Sequence, residues 1–224
     1  MYFDSTYLII MLPALLFSLW AKFKTQSAFK KYSKVRVMSG QTGAQAAQTL
    51  LNRAGITDVE IKPIRGMLSD HYNPMTKTLA LSEGVYGQNS VSAVGVACHE
   101  AGHALQHAQN YKPMWLRSIL VKPASIGSNF GIYAIIIGLV IGATGLFKIG
   151  IILFAAAVAF QLVTLPVEFD ASARAKRLAA EYGIVTEQER AGVNKVLNAA
   201  AMTYVAAAAA SVLQLLYWIS RARD

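Results

Sequence analysis

In the segment Cys98-His99-Glu100-Ala101-Gly102-His103, two histidines stand four places apart and a glutamate follows the first. On an α-helix, positions i and i+4 lie on one face about a turn apart. Two imidazoles so placed can hold one tetrahedral Zn²⁺, and His-Glu-x-x-His is the pattern that metal-dependent peptide hydrolysis uses. Glu100 can reach a water on the metal's open position, where the ion lowers the water's pKa and the carboxylate takes its proton. Ala101 and Gly102 are small and leave room for a substrate. His107 continues the i+4 ladder, but on a continuous helix it lies about 12 Å along the axis from His99, too far for one ion to span. The glycine turn and later histidine of the metzincin pattern are also missing. His107 therefore reads as a capping or packing histidine. Cys98 is one place out of phase with the ligand face and reads as a small core residue. As the sole cysteine it excludes an internal disulfide and fits a reducing compartment.

The elements around the motif must present that face. Val91 to Ala97 is almost wholly apolar, which predicts a buried helix. Upstream, Ser39 to Ala54 predicts a helix with Gly55 as its stop. Val59 to Lys62 and Lys77 to Ser82 alternate as strands do, and Asn73-Pro74 marks a turn between them. Helix, two strands and the motif helix make a small zincin-like αββα core. In that layout the strand Lys77 to Ser82 borders the cleft, and a peptide could pair with its free edge. His71 and Tyr72, just before the turn, are candidates to stabilise a transition state or orient a ligand. The alternative is an ordinary polar strand end.

Composition sets the environment. Hydrophobic residues make up 54% and charged residues only 15% of the 224-residue chain, against about 25% charged in soluble proteins. That predicts a membrane protein. The net charge of +9 gathers at the ends of apolar runs, as the positive-inside rule requires. No aromatic-basic motif for nucleic acid accompanies it. Tyr2 to Ala21 is apolar except at Asp4, Ser5, Thr6 and Ser18, and is followed by Lys22, Lys24, Lys30, Lys31, Lys34 and Arg36, the reverse of a signal peptide. Residues 1–21 thus predict an uncleaved anchor with its N-terminus outside, and 22–123 a cytoplasmic core. Residues 124–167 predict a membrane hairpin, with spans at Ala124 to Phe147 and Gly150 to Val167 and Lys148 in its turn. Residues 168–197 predict a second cytoplasmic segment, and 198–224 a C-terminal span. The fold class is α+β, mainly helical, with four transmembrane helices. Gly127, Gly131, Gly138 and Gly142 form a small-residue face suited to close helix packing, and to a second copy of the chain or another membrane protein. A transporter would be expected to carry charges within its spans, and these do not.

A hydrolytic zinc site takes three protein ligands and one water. The motif helix precedes the second span and Glu168 directly follows the third, so a hairpin brings both to one membrane surface. Glu168 is the first choice for the third ligand and Glu181 the second.

His99 to His103, taken with Pro166-Val167-Glu168-Phe169-Asp170-Ala171-Ser172 and Asp70-His71-Tyr72-Asn73-Pro74, resembles the YugP-like neutral zinc membrane peptidases of bacteria. It is more distantly similar to the HtpX heat-shock and CAAX-prenyl membrane proteases. In those relatives the glutamate of a Glu-Phe-x-Ala-Asp motif is the third zinc ligand, which implies that role for Glu168. Ser172 stands where they have an aspartate that supports a ligand histidine. It lies on the Glu168 face of the helix and offers a weaker hydrogen bond than a carboxylate.

The expectation is an integral-membrane zinc endopeptidase of the bacterial cell membrane. Its metal is held by His99, His103 and Glu168, with Glu100 as general base. Its site lies at the cytoplasmic surface, and its substrates are peptides or membrane-protein segments. The rival is a zinc-binding membrane scaffold that no longer cleaves, which would have no use for an intact Glu100.

Overall fold

The computed structural model describes residues 5–222. The apolar start at Tyr2, and Arg223 and Asp224 at the other end, lie outside the described residues. In chain order the elements are α1 (Ser5–Tyr32), α2 (Gly43–Arg53), β1 (Glu60–Ile64), β2 (His71–Asn73), β3 (Thr78–Ser82), α3 (Glu83–Tyr86), α4 (Val91–Ala108), α5 (Lys112–Ile126), a π-helical turn (Gly127–Gly131), α6 (Ile132–Val140), α7 (Thr144–Glu181) and α8 (Glu187–Arg221). Among the described residues four helices are long and apolar enough to cross a membrane: Ser5–Tyr32, Lys112–Val140, Thr144–Glu181 and Glu187–Arg221. The described residues are thus mainly helical with one small sheet. It divides into two compact units. One comprises the chain up to Ala21, Lys112–Pro166, and the chain from Thr203; the other comprises Lys22–Tyr111 and Val167–Met202.

The second of these units carries the motif. Its core gathers Leu50 and Leu51 of α2, Leu79 and Leu81 of β3, Val91, Val94 and Ala97 of α4, Ala175 and Leu178 of α7, and Val193 and Leu197 of α8. Thr42 starts α2 with a reciprocal cap: the Gln45 N–H donates to its Oγ1 at 3.3 Å, and its own N–H donates to Gln45 Oε1 at 2.9 Å. The helix therefore begins four places after Ser39, because Gly40 at φ +66° cannot continue a right-handed turn. Gly55, at φ +75°, ends it as expected.

The sheet differs from the two-strand expectation. It has three strands in the order β1-β3-β2. β1 runs parallel to β3, and β2 runs antiparallel to it. The strand expected to offer a free edge to a peptide is thus the central one. A strand of only three residues, His71–Asn73, supplies the second partner, and alternation cannot reveal so short a run.

In the other unit, Ile135, Phe147, Ile151, Phe154, Val158, Tyr217 and Trp218 form the core. The hairpin turn lies at residues 141–143, with Gly142 at φ +71°, and Lys148 sits inside α7. The span before it begins at Lys112 rather than Ala124, because isolated charges such as Arg117 and Lys122 lower hydropathy without breaking a helix. The glycine face packs within the chain. A Cβ on Gly127 would meet the Leu153 carbonyl oxygen at 2.1 Å, and one on Gly138 the Phe147 nitrogen at 2.5 Å. A Cβ on Gly131 would lie 2.9 Å from the Phe154 nitrogen of α7, while Gly142 belongs to the turn. Gly127, Gly131 and Gly138 thus serve the close helix packing expected of the face, against α7 of the same chain.

Candidate metal centre

α4 begins at Ser90, whose Oγ accepts the Ala93 N–H at 3.3 Å. From Val91 to Gln106 it is buried except at Val96 and His99, as the apolar run predicts. A helix this enclosed holds its i, i+4 pair in fixed orientation. His99 and His103 lie edge to face, with ring centroids 4.8 Å apart.

α7 crosses this face at very close range. A Cβ on Gly102 would lie 2.7 Å from the Ala171 carbonyl oxygen. Only a residue without a side chain allows that approach, and the approach brings Glu168 to the histidines. Glu168 Oε2 is 3.2 Å from His99 Nε2 and 3.5 Å from His103 Nε2. Glu168 and His103 are buried and His99 nearly so.

Among the described residues these three groups are a set that could hold a metal ion, their ligand atoms lying within 4.8 Å of one another. The spacing fits zinc. Bonds of about 2.0–2.1 Å in a tetrahedron put neighbouring ligand atoms about 3.3–3.4 Å apart, and the two measured separations bracket that value. Burial works against a charged imidazole at His103, but the carboxylates of Glu168 and Glu100 outweigh it and hold its pKa above the ordinary histidine range. So much negative charge converging on imidazole nitrogens is an arrangement a divalent cation would relieve.

Both outer ring nitrogens are engaged. Ser172 Oγ lies 3.1 Å from His99 Nδ1. His103 Nδ1 lies 2.9 Å from Oε1 of Gln106, a fully buried amide. Gln106 Nε2 donates to the Val167 carbonyl and to Asp170 Oδ2, each at 2.8 Å. Arg174 Nε in turn donates to Asp170 Oδ2 at 2.5 Å.

Gln106 and Asp170 went unread in the sequence. Gln106 lies three places after His103, so the i, i+3 rule could have placed it beside the ligand face. Glu100 is 8% exposed and close enough to act on the charge of His103. Glu181, the second candidate for the third ligand, is instead an exposed residue paired with Arg177 at 3.0 Å.

The other candidates sit at the flank. Tyr72 Oη is 2.9 Å from His107 Nδ1, so His107 ties β2 to the last turn of α4. Burial raises the Tyr72 pKa, and the phenol stays a hydrogen-bonding neutral group. His71 is exposed and its Nδ1 lies 2.9 Å from the Ser69 carbonyl. The Cys98 thiol is fully buried, and its pKa is pushed up to about 12.

A family model described as "Putative neutral zinc metallopeptidase" matches residues 7–223. The chain is 46% identical over 213 residues to the "Putative membrane protease YugP" of Bacillus subtilis (strain 168), covering 95% of each chain. No solved structure matches.

Proposed function

The chain belongs to the neutral zinc metallopeptidase family, and from that premise we propose that it is an integral-membrane zinc endopeptidase whose ligands are His99, His103 and Glu168. The convergence of two imidazole Nε2 atoms and one buried carboxylate at zinc spacing carries this reading. Zinc, when bound, supplies a Lewis acid that polarises a scissile carbonyl and acidifies a water. The chain's residues supply the rest. The Nδ1 atoms of His99 and His103 are engaged by Ser172 and Gln106, which leaves both Nε2 atoms turned toward Glu168. Glu100, one residue from His99 and on a buried face, takes the proton of the attacking water. It then returns that proton to the leaving amine. Low water access around Glu100 and Glu168 strengthens the electrostatic interactions that both carboxylates make.

A peptide needs an edge along which to lie. β3 is flanked on both sides, so the edge next to the metal helix is β2, which Tyr72 joins to α4. The substrate, in this reading, adds to β2 in extended form, with its main chain providing the bonds and a loose sequence preference. The site faces the cytoplasm close to the membrane, and the substrates are membrane-protein segments near the bilayer. The chain's basic segments support that sidedness.

Replacing Glu100 with Ala removes the base and leaves all three ligands. Purified Glu100→Ala should retain its zinc content while losing about 10²–10⁴-fold in peptide cleavage. Cleavage near the wild-type rate would refute the assignment. A wild-type protein that binds zinc yet cleaves no peptide would favour a scaffold instead.

A further inference from the structure

We propose that Gln106, held by Asp170, is a positioning residue that fixes the tautomer of His103; this rests on His103 being a zinc ligand. Each group around the amide has a fixed hydrogen-bonding capacity. The Val167 carbonyl can only accept a hydrogen bond, and so can the Asp170 carboxylate when ionised. Both lie 2.8 Å from the same amide nitrogen of Gln106. Turning the amide over would set its oxygen against two acceptors. The nitrogen therefore faces Val167 and Asp170, and the oxygen faces His103 Nδ1 at 2.9 Å. An amide oxygen accepts and cannot donate, so Nδ1 must carry the hydrogen. A neutral imidazole protonated at Nδ1 has its lone pair on Nε2, and Nε2 is the atom beside Glu168.

His99 has no comparable lock. Its Nδ1 meets the hydroxyl of Ser172 at 3.1 Å, and a hydroxyl can donate or accept. The two histidines of one motif thus differ. The Ser172 contact lets Nδ1 of His99 donate or accept, while the Asp170-Gln106 pair demands a donor at Nδ1 of His103. Arg174 fixes Asp170 in turn: its Nε donates to the carboxylate, and its other arm reaches Gln109. The order imposed on the metal face thus begins at a partly exposed ion pair and reaches the ligand through one buried amide.

Imidazole NMR tests this directly. The chain has four histidines, so ¹⁵N labelling of the imidazoles gives a spectrum simple enough to assign with single substitutions. In the metal-free Glu168→Ala protein, where no carboxylate competes for a hydrogen at Nε2, at alkaline pH where the ring is neutral, His103 should show one tautomer, with the hydrogen on Nδ1. A hydrogen on Nε2, or an even mixture, overturns the proposal without touching the ligand assignment. Asp170→Ala should convert His103 to a mixture, and Asp170→Asn, which keeps an acceptor, should restore most of the wild-type form.

Gln106→Met keeps the shape and removes the amide. It should weaken zinc about 10–100-fold in competition with a chromogenic chelator, at an unchanged melting temperature of the metal-free protein. Unchanged affinity would overturn the proposal. His103→Ala separates the two readings: if zinc affinity survives that change, the ligand assignment itself fails.

Discussion

At the scale of single residues, the ligand set is more fully supported on one side than on the other. Ser172 stands where the resemblance to more distant membrane proteases implies an aspartate, and its hydroxyl lies 3.1 Å from His99 Nδ1. A neutral hydroxyl polarises an imidazole less than a carboxylate does. Ser172→Ala should therefore weaken zinc binding by about tenfold, the lower end of what such supporting groups contribute. Ser172→Asp should strengthen it, and chelator competition on purified protein reads both. Equal affinity in all three proteins would mean that the hydroxyl plays no part in orienting the ring.

His99, Glu100 and His103 could be singled out from local spacing alone, and the structure brings the two histidines together with Glu168. Glu168 needed the added premise that two spans form a hairpin. Gln106 stayed hidden because glutamine in a helix usually faces water. Its function appears only when Val167 and Asp170 arrive from a helix some sixty places away.

At the scale of elements, the decisive contact is α4 against α7. It was legible that a buried helix carries the motif, since Val91 to Ala97 leaves no polar face. It was also legible that Gly102 is small. That Gly102 meets the Ala171 carbonyl was not, because the partner is backbone and leaves no mark in the sequence. Gly102→Ala would place a methyl 2.7 Å from that oxygen. Neither backbone can move far within a filled core, so the cost should be about 1–3 kcal/mol. The shift should also draw Glu168 from the histidines. The expected result is a lower melting temperature together with weaker zinc binding. Gly84→Ala serves as a control, since its Cβ would meet nothing within 4 Å. Zinc affinity unchanged in Gly102→Ala would show that the ligand spacing does not depend on this approach. The sheet shows the limit of pattern reading: Lys77 to Ser82 was visible as a strand, but its central place was set by β2, whose three residues are too few for alternation to register.

At the scale of the whole molecule, the remaining question is the side of the membrane on which the metal-binding unit lies. Lys30 in α1 and Arg177 in α7 belong to the same compact unit, though the chain between them includes the hairpin of two candidate spans. One folded unit cannot straddle a bilayer, so the two residues must share a side. The segments Lys22 to Arg36 and Arg174 to Arg177 are rich in Lys and Arg, and such segments are retained in the cytoplasm. Cys98 makes the test simple. It is fully buried with a thiol pKa pushed up to about 12, so almost none of it is thiolate near neutrality, and the thiolate is the reactive form. Single cysteines at Lys30 and at Arg177, both exposed, can therefore be introduced without replacing it. In intact cells neither should react with a membrane-impermeant thiol reagent, and both should react once the membrane is opened. Rapid labelling of both before opening would put the unit outside and reverse the proposed sidedness. Labelling of one alone would break the unit apart, and with it the premise that Glu168 reaches the α4 histidines in the folded protein.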